Sequence, residues 1–127
     1  MRRSVERFLE RTLEPAFVDL MADPLDQVRA FLDRLLEVQR QRNCVGGCPM
    51  GNLASELSDV HEGFRQRLAD IFERWRVTLA TTLERGRASG RLRADLDAPS
   101  AAGFVVAALE GAILMAKVTK DISVMEK

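Results

Sequence analysis

The chain has 127 residues, 46% hydrophobic and 30% charged, with nineteen Lys+Arg balanced by nineteen Asp+Glu. A chain of this size folds as one domain burying roughly two-thirds of its unfolded surface, and zero net charge is not the basic excess of a DNA-binding domain. Its longest charge-free stretches, Asn43 to Ser55 and Ala98 to Leu109, fall short of the roughly 20 apolar residues that cross a bilayer; no cleavable apolar leader follows Met1, Arg2 and Arg3, and two cysteines make no disulfide framework, so a cytoplasmic protein with no membrane partner is expected.

Apolar positions recur at steps of three and four and almost nowhere alternate, so every element is predicted helical. The first helix carries Val5, Phe8, Leu9, Thr12 and Leu13, is interrupted at Pro15, and continues through Phe17, Val18 and Leu20 to Met21. Asp23 and Pro24 then open a second helix, as a capping carboxylate and a proline in its first position. It is predicted to bury Leu25, Val28, Phe31, Leu32, Leu35 and Leu36 and to end near Asn43. Between Asn43 and Ser55 charge vanishes while Gly46, Gly47, Pro49 and Gly51 gather, which predicts a buried turn followed by a short helix through Gly51, Asn52, Leu53, Ala54 and Glu56. Asp59 with Glu62 reads as a capping box for the longest helix, with an apolar stripe of Val60, Phe64, Leu68, Ile71, Trp75, Leu79 and Leu83. This helix should stop between Gly86 and Gly90, with Arg65, Arg67, Glu73, Arg74 and Glu84 on its solvated face.

Asp97 is predicted to cap the next helix, which from Ala101 to Ala116 carries a single charge, Glu110. A helix apolar on every side must be covered on every side, and one layer of a small domain cannot do that, so a second chain is expected, with tight packing inside one subunit as the alternative. Gly103, Ala107 and Gly111 lie four apart on one face, where small residues let another helix approach. Asp121 caps at most a stub before Lys127, so the sequence is expected to be a piece of a longer protein, cut at both ends.

Few residues invite chemistry. Cys44 and Cys48 are separated by three residues, but a zinc site needs about four ligands and His61 is the single histidine. Cys48 precedes the short helix, where a thiol pKa can be lowered for redox sensing; small buried hydrophobes are the plainer reading of both cysteines. No glycine loop matches a nucleotide fingerprint, no nucleophile stands at recognisable spacing from His61, and no cofactor, metal or catalytic residue is expected. Glu110 is the exception, because a carboxylate in an apolar helix needs a partner or its pKa rises; it has three open roles, at an interface, at a cavity or at a wet edge. Trp75 and Phe17, Phe31, Phe64 and Phe72 read first as core. Stripes of this kind can also leave a cavity with Cys48, Met50, Asn52 and Glu110 as its few polar or soft groups.

The segments GGCPMGNLASE, from Gly46 to Glu56, and FVVAALEGAILMAKVTKD, from Phe104 to Asp121, resemble the C-terminal domain of TetR-family transcriptional regulators, in the branch similar to multidrug-resistance repressors. The likeness runs from about residue 5 to the end. It implies an all-α, orthogonal and antiparallel helical bundle over residues 1–127 that dimerises through a four-helix bundle, binds a small apolar effector, and belongs to a regulator, not an enzyme. In that family a helix-turn-helix domain, absent from this sequence, binds operator DNA, and the effector changes the spacing of its two reading helices. Candidate pocket residues are Phe17, Phe31, Leu35, Asn52, Leu53, Ile71, Trp75 and Leu109. Candidate interface residues of the homodimer are Gly103, Val106, Ala107, Glu110, Gly111 and Leu114. The competing readings are a stand-alone helical dimerisation module that binds neither ligand nor DNA, and a small helical enzyme using Glu110, Glu56 or His61.

Overall fold

A computed structural model describes Phe17 and residues 22–126. All the regular structure among them is helical: α1 (Pro24–Gln41), α2 (Pro49–Leu57), α3 (Glu62–Ala88), α4 (Ala98–Thr119) and a last turn, α5 (Ser123–Glu126). The predicted first helix lies outside the described residues, apart from Phe17.

Helix α3, 27 residues long, is the spine. Helices α1, α2 and α4 all pack on it, and α5 packs on α4. The contact is made by a row that repeats at helical spacing: Leu68, Trp75, Leu79 and Leu83 are buried, with Ile71 and Phe72 half-buried beside them. Trp75 meets Phe31 of α1 edge-on at 5.7 Å between ring centres and Phe72 at 6.2 Å, and Phe17 tilts against Phe31 at 5.6 Å. Such edge-to-face pairs add specific attraction to the area the rings bury. In α1 the buried row is Pro24, Gln27, Phe31, Leu35 and Gln39, one turn apart throughout. Leu25, Val28, Leu32 and Leu36, expected inside, are half-buried on its flank.

The solvated face of α3 is as expected, with intrahelical ion pairs Glu62 to Arg65, Glu73 to Arg76 and Glu84 to Arg87. Two helix starts differ from expectation. Helix α3 is capped by His61, whose Nδ1 accepts from the Phe64 N–H at 3.2 Å, so the helix begins after Asp59 and leaves Val60 77% exposed in a turn. At α1, Asp23 is the N-cap residue but makes no capping hydrogen bond. Its carboxylate instead accepts from Nε and Nη2 of Arg91, at 3.0 and 2.9 Å, which ties the end of α3 to the start of α1 and holds the Asp23 pKa below its ordinary value. Arg85 reinforces that junction by donating to Gln27 Oε1 and to the Ala22 carbonyl.

Helix α4 starts as predicted, with Asp97 accepting from the Ser100 N–H and hydroxyl. It buries Ala98, Ala102, Leu109, Ile113 and Ala116 and leaves Phe104, Leu114, Met115 and Val118 exposed. Counting charge-free stretches understated this helix: with Glu110 inside it, its 22 residues are long and apolar enough to cross a bilayer by length and composition. Four of the large apolar residues that the described chain leaves exposed lie on this one helix.

Leu79→Ala should cost roughly 2–5 kcal/mol in denaturant unfolding, as a fully buried leucine truncated in a packed core. Val60→Ala should stay within about 0.5 kcal/mol; equal effects would contradict the described register of α3. Asp97→Ala should lower the melting temperature more than Asp23→Ala, since only Asp97 caps its helix through its side chain. The reverse order would show that the Asp23 to Arg91 clamp matters more.

Candidate functional site

The chain turns sharply after α1, where Asn43, Cys44, Gly46 and Gly47 all have positive φ. The turn is held from both sides. Cys44 N–H donates to the Gln39 carbonyl at 2.9 Å, and Lys120 Nζ, just past α4, donates to the Cys44 carbonyl at 3.1 Å. It is only partly the buried turn expected: Cys44, Gly47, Cys48 and Met50 are inside, whereas Asn43, Val45 and Gly46 face solvent.

Between this turn, α2 and α4 lies a cleft of about 190 Å³. The turn and α2 supply Gly47, Cys48, Gly51, Asn52 and Ser55; α4 supplies Glu110, Gly111, Ile113, Leu114 and Lys117. Two glycines make the close approach possible. A Cβ on Gly51 would stand 2.5 Å from Glu110 Oε2, so a side chain there would displace the carboxyl group. At Gly47, φ is +65° and a Cβ would stand 3.0 Å from the Lys117 stem. The Asn52 amide joins the two walls: its Nδ2 donates to the Gly46 carbonyl, and its Oδ1 accepts from Lys117 Nζ at 3.2 Å.

The electrostatics of the cleft are unusual. Burial raises the pKa of Glu110, and a hydrogen bond from the Cys48 thiol offsets part of that shift. Glu110 Oε1 is buried with no hydrogen-bond partner among the described residues. Cys48 is pushed up to about 12, first by burial and then by the neighbouring Glu110 charge. That is opposite to the lowered pKa a redox-sensing thiol requires, so Cys48 serves here as a neutral thiol donor. Lys117 makes no ion pair among the described residues; its partner is the neutral Asn52 amide. No three of His, Cys, Asp and Glu stand together as a metal site among the described residues.

Of the eight pocket candidates, only Asn52 lines this cleft. Phe31, Leu35, Trp75 and Leu109 are buried in the core, and Phe17, Leu53 and Ile71 pack against it. Glu110, Gly111 and Leu114, read as interface residues, line the cleft, while Gly103, Val106, Ala107 and Glu110 border an open groove of about 380 Å³ against Ala69, Phe72, Glu73 and Arg76 of α3. Glu110 thus belongs to both depressions. Lys117 and Ile113 escaped the sequence reading, although Lys117 lies seven residues, two turns, after Glu110 and so shares its face.

Residues 24–127 match the family described as tetracyclin repressor-like, C-terminal domain. Over 103 residues the chain is 34% identical to an uncharacterized HTH-type transcriptional regulator in the lacX 3′ region of Lactococcus lactis subsp. lactis, covering 81% of this chain and 50% of that protein. Over 112 residues it is 32% identical to the transcriptional regulator AcuR of Cereibacter sphaeroides, covering 88% and 51%. The fold superposes on the regulatory protein TetR from Rhodobacter sphaeroides with a TM-score of 0.88 at 29% identity, covering 98% of this chain and 66% of that one. The chain spans about half the length of the curated relatives it matches. The matches and the shared all-helical fold establish that the chain belongs to the family of TetR-type regulator C-terminal domains, a family of transcriptional regulators and not of enzymes.

Proposed function

We propose that the chain is the effector-binding and dimerisation domain of a cytoplasmic one-component transcriptional repressor, working as a homodimer. Operator DNA would be read by a helix-turn-helix domain elsewhere in a longer protein, which accords with the half-length coverage of the relatives. The observation that carries the reading is that one helix has two jobs. Helix α4 exposes Phe104 (73%), Val118 (72%), Leu114 (56%) and Met115 (52%) on the single chain, and it also forms one wall of the cleft. An exposed apolar face of this kind marks an interaction surface. A second copy covering it would bury what the single chain leaves wet, with the candidate interface residues Gly103, Val106, Ala107, Glu110, Gly111 and Leu114 along the contact.

Gly103 and Gly111 support this arrangement by having too few neighbours. A Cβ on either would meet nothing within 4 Å among the described residues, yet glycine in a helix interior costs about 1 kcal/mol relative to alanine. Nothing among the described residues requires glycine there; a closely approaching partner helix would. Leu114 and Gly111 belong to the cleft as well, so a ligand that shifts them shifts the contact between subunits. An effector with different affinity for two dimer geometries then selects one of them, and with it the separation of the DNA readers.

Light scattering should give twice the 14.2 kDa of the chain. Gly111→Arg, at an exposed position where a Cβ would meet nothing among the described residues, should give a folded 14.2 kDa monomer by the same measurement; an undiminished dimer would remove α4 as the interface. A second expectation concerns pH. Burial raises the Glu110 pKa above 4.5, so between 4.5 and its folded value the folded chain holds a proton that the unfolded chain has released. Stability from this group therefore falls as pH rises through that window and levels off above it. Glu110→Gln removes the loss, so the stability difference between variant and parent should grow in the variant's favour from about pH 4 to neutrality. A difference that stays flat across the range would mean Glu110 is fully solvated in the folded protein.

A further inference from the structure

The homodimer reading names α4 as the contact and leaves open how two copies meet there. The exposure along the helix follows a pattern. Phe104, Ala108, Gly111, Met115 and Val118 are exposed and succeed one another at steps of four, three, four and three residues, the repeat that keeps one row of a helix against a neighbouring helix at a shallow crossing. The row is lopsided about Gly111. The exposed residues just before it are the small Ala107 and Ala108; those just after it are the large Leu114 and Met115. Phe104 stands seven residues before Gly111 and Val118 seven after it, and both are among the most exposed large apolar residues described.

We propose that α4 pairs antiparallel with α4 of a second copy of this chain, about a two-fold axis through Gly111. Gly111 then meets Gly111 of the partner subunit, Ala107 and Ala108 lie against Leu114 and Met115 of the partner subunit, and Phe104 meets the partner's Val118. The occupant follows from the lopsided row, which is complementary to itself when reversed. In a parallel pair each residue meets its own copy, so Leu114 and Met115 would stack on the same two residues while Ala107 and Ala108 faced each other across a gap. Reversal lays each large pair over a small pair, as an isologous contact allows and close packing requires. Glycine at the axis lets the backbones come nearest there, and the larger Phe104 and Val118 fill the space where the helices diverge. No charge lies in the row, so the symmetry brings no like charges together. Gly111 and Leu114 also line the cleft, so a single crossing stands at the edge of the cleft in both subunits.

This inference rests on the homodimer reading, and the test separates the two. Cysteines are placed on α4 of the full chain and oxidised, and covalent dimer is read on a non-reducing gel, with the parent chain as the blank because Cys44 and Cys48 are buried. Gly111→Cys should cross-link to its own copy and run at twice 14.2 kDa, which requires Cα atoms roughly 4.4–6.8 Å apart. Ala108→Cys alone and Met115→Cys alone should stay uncrosslinked, whereas a chain carrying both should form covalent dimer. Circular dichroism checks that each variant keeps the helicity of the parent, and where Gly111→Cys does not dimerise the double variant decides. Covalent dimer from either Ala108→Cys or Met115→Cys alone, the mark of a parallel pair, or none from a double variant that light scattering shows to be dimeric, overturns the antiparallel register and leaves the homodimer standing. A parent chain that is monomeric by light scattering overturns both.

Discussion

Trp75 holds the arrangement together. Its ring is fully buried at the middle of α3, edge-on to Phe31 of α1 and to Phe72 of its own helix. With the ring seated, α3 has one rotation about its axis, and each helix packed on it inherits an orientation. For α4 the consequence is specific. Burying Ala98, Ala102, Leu109, Ile113 and Ala116 turns Glu110 and Lys117 toward the turn before α2 and sends Phe104, Met115 and Val118 outward. Close packing allows no intermediate rotation, since interiors are packed like solids and not like oil.

Within that frame the contact of Gly51 with Glu110 decides the character of the cleft. A carboxyl group comes close to the helix α2 backbone only because residue 51 has no side chain. Brought there, it loses water, its pKa rises, and it suppresses ionisation of the nearby Cys48 thiol. Its Oε1 has no hydrogen-bond partner among the described residues, and a buried polar atom without a partner is costly. Of the three roles left open for Glu110 from sequence, the cavity role has a structural counterpart: it lines the cleft and also borders the groove toward Arg76.

The parts of the fold legible in the sequence were those carried by local chemistry. Proline after Asp23, Asp97 before its helix and the stripe from Leu68 to Leu83 each act within a few residues, and the elements formed where those signals stood. Local signals misled where two residues competed for one task. Asp59 and His61 both offer an acceptor ahead of α3, and the backbone chose His61; Asp23 had a choice between the end of its own helix and Arg91, 68 residues away, and took the arginine. The cleft was barely legible, because it joins Asn52 to Lys117 across 65 residues. An all-round apolar helix adds to the difficulty: α4 has no polar stripe to mark which face turns inward, and only its row of small residues, Gly103, Ala107 and Gly111, sets one face apart.

The division itself explains why one helix can serve both. A helix rotated or shifted by a ligand on one face moves everything on its other face by a comparable amount, because its internal hydrogen bonds make it stiff. Leu114 and Gly111 sit at the boundary, lining the cleft and exposed beyond it, and no intervening element need relay the motion. In the proposed dimer, Gly103 and Gly111, where a Cβ would meet nothing within 4 Å among the described residues, would let two helix backbones come into near contact with little side-chain interlock to resist a slide or tilt. On the proposed reading, α4 would meet its partner through its large exposed apolar residues and approach it closely at its small ones, with Glu110 beside both.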